Sequence, residues 1–292
     1  EKTIIDHSSS EISTEDAAVL LEAVRKELET DIYKFYVGTS YRHLTIWDKG
    51  EVVELTPPHD VLGQVIGQYL PKTEALREMM KKSYDILSNH PINVERMKKG
   101  LNPANSIWLW GEGTRPGVTG FKAAYGVKAS VISAVDLIKG IGLCAGMKVI
   151  EVEGATGNID TNFKGKGEAA LKTLLDGQDL VYIHVEAPDE CGHHGDLEGK
   201  IQAIERIDQD IVGPLLKGLE EAGEDYSILV MPDHPTPISI KTHISDPIPY
   251  LLYCSTDVTD SGIDTYTEKT GESTGVYVEP GYLLMQQLLK NK

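Results

Sequence analysis

The feature that most constrains the fold is an alternation through the later two thirds of the chain. Short apolar runs of strand length take turns with stretches of helical periodicity. Ile107–Trp110 is a short apolar run closed by Gly111, and Met147–Val152, Leu180–Val185, Ser227–Met231 and Ile248–Tyr253 read as strands. Ser130–Ile138 and Glu168–Leu175 read as helical units. Ile201, Ile204, Ile207, Ile211, Leu215 and Leu219 mark a long amphipathic helix bent at Pro214. Alternation of this kind predicts an α/β fold, a mostly parallel sheet with helices on both faces.

The first hundred residues read as a mixed α+β unit. Ser13-Thr14-Glu15-Asp16 is a capping signature before the helical stretch Ala17–Leu28, whose stripe is Val19, Leu20, Val24 and Leu28. Strand-like runs follow at Ile32–Val37 and Leu44–Trp47, the latter leading into the Asp48-Lys49-Gly50 turn. Helical candidates at Val61–Tyr69 and Thr73–Ser88 are split by Pro71. The turn-rich stretch Lys98–Pro103 is the expected boundary, which gives domains 1–103 and 104–292.

Composition narrows the function classes. With 28 Lys+Arg against 45 Asp+Glu, the 292 residues carry a formal charge of −17, the wrong sign for a nucleic-acid surface. No apolar run approaches the ~20 residues of a membrane span, and the N-terminus lacks the apolar core of a signal peptide. The three cysteines, Cys144, Cys191 and Cys254, are too few and too scattered for a disulfide framework. The expected setting is the cytoplasm. Gly111-Glu-Gly113 has Pro116 where a dinucleotide fingerprint needs glycine, and Gly165-Lys166 is followed by Gly167 where a phosphate loop needs Ser or Thr. No nucleotide site is expected.

Histidines and aspartates concentrate in three loops that adjoin strand-like runs. The polar loop Glu186–Asp196 carries Asp189, His193 and His194. Met231-Pro-Asp233-His234-Pro-Thr-Pro is the second, and Thr242-His243-Ile-Ser-Asp246-Pro the third. Loops that leave the carboxyl ends of strands build the site in an α/β sheet. Asp and His together suit Mn²⁺, Zn²⁺ or Mg²⁺. Asp189 and His193 are four apart, so one helical turn or a tight loop aims both at one ion. Asp233 and His234 are adjacent and expected to point apart, which suits two ions. Two metals ~4 Å apart clamp the oxygens of a phosphoryl group.

Taken together, the runs HVEAPDECGHHGDLEGK, IERID, MPDHPTP and THISDPIPYLLY resemble the archaeal-type 2,3-bisphosphoglycerate-independent phosphoglycerate mutases of the alkaline phosphatase superfamily. IIDHSSSEIST, YRHL, PPHD, NPANSIWLWGEG and GATGNIDTNFKGK extend the resemblance over nearly the whole chain. It implies an alkaline-phosphatase-like core with an α+β insertion domain, the lid over the substrate. It also implies interconversion of 3-phosphoglycerate and 2-phosphoglycerate through a phosphoserine, with two divalent ions, manganese foremost, and no bisphosphoglycerate. By the same resemblance Asp189, His193 and His243 hold one metal, and Asp233 with His234 holds part of the other. His194 faces solvent, and Asp196 orients a ligand histidine. Arg42, His43 and Lys166 contact substrate, while His59 and Asp60 serve proton transfer.

In that family an Asp-bearing first strand and a serine nucleophile precede the segment that resembles IIDHSSSEIST. Here that segment begins at Ile4, and Ser8, Ser9 and Ser10 read as a polar turn. The resemblance therefore implies an N-terminally truncated chain, inactive by itself. Competing expectations are a homoserine kinase-like phosphotransferase, a metal-dependent phosphatase, and a binding module without catalysis. Against the last, all five expected ligands are present.

Overall fold

The computed structural model describes residues 2–290, and the chain divides into two compact units, Glu1–Pro116 and Gly117–Lys292. The division falls later than the Lys98–Pro103 turn. Ala104, Ile107 and Leu109 explain why: they pack on the core of the first unit and tie the segment that leaves it to that core.

In the first unit, α1 (Thr14–Leu28) is capped as its sequence predicts, with Ser13 Oγ accepting the Asp16 N–H at 3.2 Å. Its buried face is Ala17, Leu20, Leu21 and Val24, and Val19 is left half exposed. β1 (Tyr33–Tyr36) and β2 (Leu44–Trp47) form an antiparallel pair with Tyr33 opposite Trp47. α2 (Glu74–Leu87) and α3 (Pro91–Lys98) complete the layer over Ile12, Val24, Phe35 and Met79. Val61–Tyr69 is not a helix. Two short 3₁₀ turns stand there, because Ile4 and Ile66 donate their N–H groups to Gln64 and Lys2, and Gly63 donates to Ile4. Pairing with the N-terminal segment takes the backbone groups a helix would need.

The second unit contains α4 (Phe121–Tyr125), β3 (Ala129–Ile132), α5 (Asp136–Cys144), β4 (Lys148–Val149), α6 (Phe163–Leu175) and β5 (Leu180–Ile183). The strands form a parallel sheet in the order β4-β3-β5. Ser130–Ile138, expected as helix, is strand β3 followed by a turn, in which Ser133 Oγ takes the Val135 N–H at 2.9 Å before α5 starts. All four β3 residues are buried, so the run carries no alternation that would identify it as a strand. Val131 lies beside Gly142 of α5, where a Cβ would come within 2.6 Å of it. Ile132 packs with Ala170 of α6. Successive strand residues face opposite ways, so helices cover both faces of the sheet.

The chain then runs through α7 (Ala187–His194), α8 (Leu197–Arg206), a π-helical stretch Ile207–Val212 and α9 (Gly213–Ala222). The expected long helix is thus interrupted just ahead of Pro214, whose missing N–H and bulky ring disturb the preceding turn. β6 (Ser227–Val230) and β7 (Leu251–Cys254) pair antiparallel with each other, and α10 (Glu268–Ser273) and α11 (Leu284–Leu288) follow. Among the described residues no helix is long and apolar enough to cross a membrane.

Candidate metal centre

The first Asp/His segment is a helix rather than a polar loop. Pro188 stands in the first turn of α7 and Gly195 closes it with φ of 72°. Its apolar signal is short because only Ala187, Cys191 and Gly192 are buried. Helical spacing puts Asp189 and His193 on one face, with Asp189 Oδ2 3.2 Å from His193 Nε2.

The third segment is brought to this helix by backbone bonds. Ile240 and Lys241 donate to the Pro237 carbonyl and Ile244 donates to Pro235, which folds residues 235–244 into a compact loop. His243 Nε2 then lies 3.0 Å from His193 Nε2 and 3.2 Å from Asp189 Oδ1. Ligands at about 2.0–2.1 Å around a tetrahedral ion lie about 3.3–3.4 Å apart, close to the 3.0 Å between the two imidazole nitrogens and the 3.2 Å from each of them to one of the two Asp189 oxygens. All three donor atoms lie within 4.8 Å of one another.

Hydrogen bonding prepares the donor atoms. His193 Nδ1 lies 3.0 Å from the Lys241 carbonyl oxygen, which only accepts, so Nδ1 carries the proton and Nε2 keeps its lone pair. The donor set therefore fits a divalent cation held by two imidazoles and a carboxylate. Asp196 does not orient a histidine. Its carboxylate accepts the Gly199 N–H at 2.9 Å and caps α8. His194 is exposed.

Asp233 and His234 do not point apart. The backbone bends at both residues, and Asp233 Oδ2 lies 3.4 Å from His234 Nε2. The His234 ring also stacks on His243 at 3.7 Å, which places this pair against the first ligand group. Thr236, which the sequence reading passed over, is 4% exposed and bonds both Asp189 and His234. Its only sequence signal is its place between two prolines inside the Asp-His motif.

Lys166, a substrate contact by the resemblance, does not reach the surface. It lies in α6, fully buried, and its ammonium donates to the His184 carbonyl at 3.2 Å. Burial drives it from 10.5 down to about 8 against the opposing attraction of Glu186. It exposes no surface for a phosphate. Burial also lowers His184, whose Nδ1 lies 3.2 Å from Ser133 Oγ.

The remaining sequence candidates lie in the first unit. The Arg42 guanidinium sits 4.5 Å over the Tyr41 ring. His43 Nδ1 accepts the Gly38 N–H at 3.2 Å, and burial lowers its imidazole. His59 Nε2 is 3.8 Å from Asp60 Oδ1, both side chains are exposed, and the imidazole stands edge-on to Trp110. His7, another residue the sequence reading missed, joins this row between Tyr41 and His59. Its Nδ1 is buried without a hydrogen-bond partner among the described residues.

A profile of the Metalloenzyme superfamily matches residues 41–276. The 2,3-bisphosphoglycerate-independent phosphoglycerate mutase of Methanosarcina mazei is 47% identical over 272 residues, which span 91% of this chain and 68% of that protein. The chain belongs to that mutase family. The enzyme of the same name from Methanosarcina barkeri is 50% identical over 263 residues, covering 88% of this chain and 66% of its own. This chain thus spans about two thirds of the length of these mutases. Among solved structures, the PH0037 protein of Pyrococcus horikoshii superposes with a TM-score of 0.73 at 25% identity, over 99% of this chain and 73% of that one. As a member of this metalloenzyme family the chain has the alkaline-phosphatase-like fold expected from its sequence.

Proposed function

We propose that the protein interconverts 3-phosphoglycerate and 2-phosphoglycerate without bisphosphoglycerate, as a cytoplasmic enzyme. The observation that carries this reading is the convergence of Asp189, His193 and His243 in a chain of this family. Asp233 and His234 contribute to a second position beside it, so two divalent ions are held, Mn²⁺ first and Zn²⁺ or Mg²⁺ as substitutes. What divalent ions supply at such a pair of positions is neutralisation of the phosphoryl oxygens during transfer.

The chain's own groups bind the substrate and move its protons. Arg42 presents a fork of donors suited to a carboxylate or phosphate, and His43 supports it. His59 and Asp60 handle the protons of the two substrate hydroxyls that exchange the phosphoryl group. The first unit is the substrate-recognition lid of the family, and the phosphoserine intermediate requires a serine nucleophile, a role to which no residue of this chain is assigned. Lys166 acts from within the fold: its bond to the His184 carbonyl fixes the end of β5, from which α7 and its ligands depart.

The test is conversion of 3-phosphoglycerate by the protein expressed from its intact gene, with Mn²⁺ and no bisphosphoglycerate, followed by ³¹P NMR. The expected result is 2-phosphoglycerate formation that stops on chelation. Inorganic phosphate as the sole product would reassign the protein as a phosphatase, and no turnover at all would remove the reading.

A further inference from the structure

Thr236 occupies the point where the two ligand groups meet. Its hydroxyl has one proton to give, and Asp189 Oδ1 is an acceptor only, so the proton goes to the carboxylate. Toward His234 Nδ1, 3.3 Å away, the same oxygen must accept. The proton of His234 is thereby placed on Nδ1, and its Nε2 lone pair is left free on the side of Asp233. One hydroxyl fixes the carboxylate of one ligand group and the tautomer of the imidazole in the other.

The surroundings hold that hydroxyl in place. Thr236 is 4% exposed and lies between Pro235 and Pro237, which restrict its backbone. Its carbonyl accepts the Lys200 ammonium at 2.7 Å. On the other side Gly192 of α7 packs so closely that a Cβ there would come within 2.6 Å of the same carbonyl oxygen.

We propose that Thr236 is a positioning residue that couples the two ligand groups and sets the metal-accepting tautomer of His234. The proposal rests on the reading of Asp189, His193, His243, Asp233 and His234 as cation ligands. Partners of this kind orient ligands and raise their basicity, and their loss costs about tenfold to a hundredfold in metal affinity.

The experiment compares wild type, Thr236→Val, Thr236→Ser and Asp189→Ala. Calorimetry measures Mn²⁺ and Zn²⁺ affinity, and imidazole ¹⁵N NMR of the metal-free proteins reports the His234 tautomer. Thr236→Val keeps the shape and removes both hydrogen bonds. It is expected to lose about tenfold or more in affinity, with His234 leaving the Nδ1–H form. Thr236→Ser keeps the hydroxyl and is expected to restore both readouts, which separates positioning from a general packing defect. Wild-type affinity and an unchanged tautomer in Thr236→Val, with Asp189→Ala impaired, would overturn this inference alone. Equal metal binding by Asp189→Ala and wild type would overturn the metal-centre reading and this inference with it.

Discussion

Replacing Lys166 by Met isolates the cost of burying a single ammonium. The lysine is fully buried, and desolvation moves it from 10.5 to about 8. The folded state therefore binds fewer protons than the unfolded state between those values, and stability rises with pH across that window. At 1.36 kcal/mol per pH unit the interval corresponds to about 3 kcal/mol, present as a penalty below pH 8 and gone above pH 10.5. Met fills about the same space without a charge, though it leaves the His184 carbonyl without this donor at a cost of about 1–3 kcal/mol. The neutral-pH stabilities of the two proteins can thus be close, and the pH dependence is the decisive quantity. Urea unfolding of both from pH 7 to pH 10.5 should show wild type gaining about 3 kcal/mol on the variant. Other lysines and tyrosines titrate in both proteins and cancel in the difference. Parallel curves across the whole range would refute the buried-ammonium reasoning.

Asp6→Asn probes the opposite sign. Burial pushes this carboxyl up, but hydrogen bonds from Asn102, Ser10 and Ser8 outweigh it and hold it at about 2, below its ordinary 3.8. Its contribution is present above pH 3.8 and lost as pH falls through about 2, so the deficit of the variant should shrink over that window in acid-unfolding curves. Gly192→Ala forces a methyl group against the Thr236 carbonyl. A loss of about 1–3 kcal/mol in chemical unfolding, with weaker Mn²⁺ binding, is the expected result. His193→Ala should abolish the Asp189/His193/His243 position, and unchanged metal content after dialysis would count against it. For Arg42→Ala, KM for 3-phosphoglycerate is expected to rise about tenfold or more, and an unchanged KM would take Arg42 out of substrate recognition.

The sequence by itself determined the elements whose faces differ. Helix α1 shows its cap in Ser13 and its stripe in Leu20 and Val24, and β2 appears at Leu44–Trp47 as read. It also determined the ligand types, since Asp and His in three segments beside strand-like runs restrict the chemistry before any contact is known. Only the tertiary structure decided what depends on partners distant in sequence. β3 is a strand through its pairing with β4 and β5, and the helices on both its faces remove the alternation that marks a half-exposed strand. Val61–Tyr69 loses its helix to pairing with residues 2–4. His243 reaches Asp189 because the Ile244 N–H bonds the Pro235 carbonyl, and Asp233 and His234 converge because the backbone bends at these two residues. Nothing in the sequence shows that Lys166 is buried or that Thr236 bonds two ligand groups. Their roles come from burial, which turns one ammonium and one hydroxyl into groups whose few available partners fix the geometry of the site.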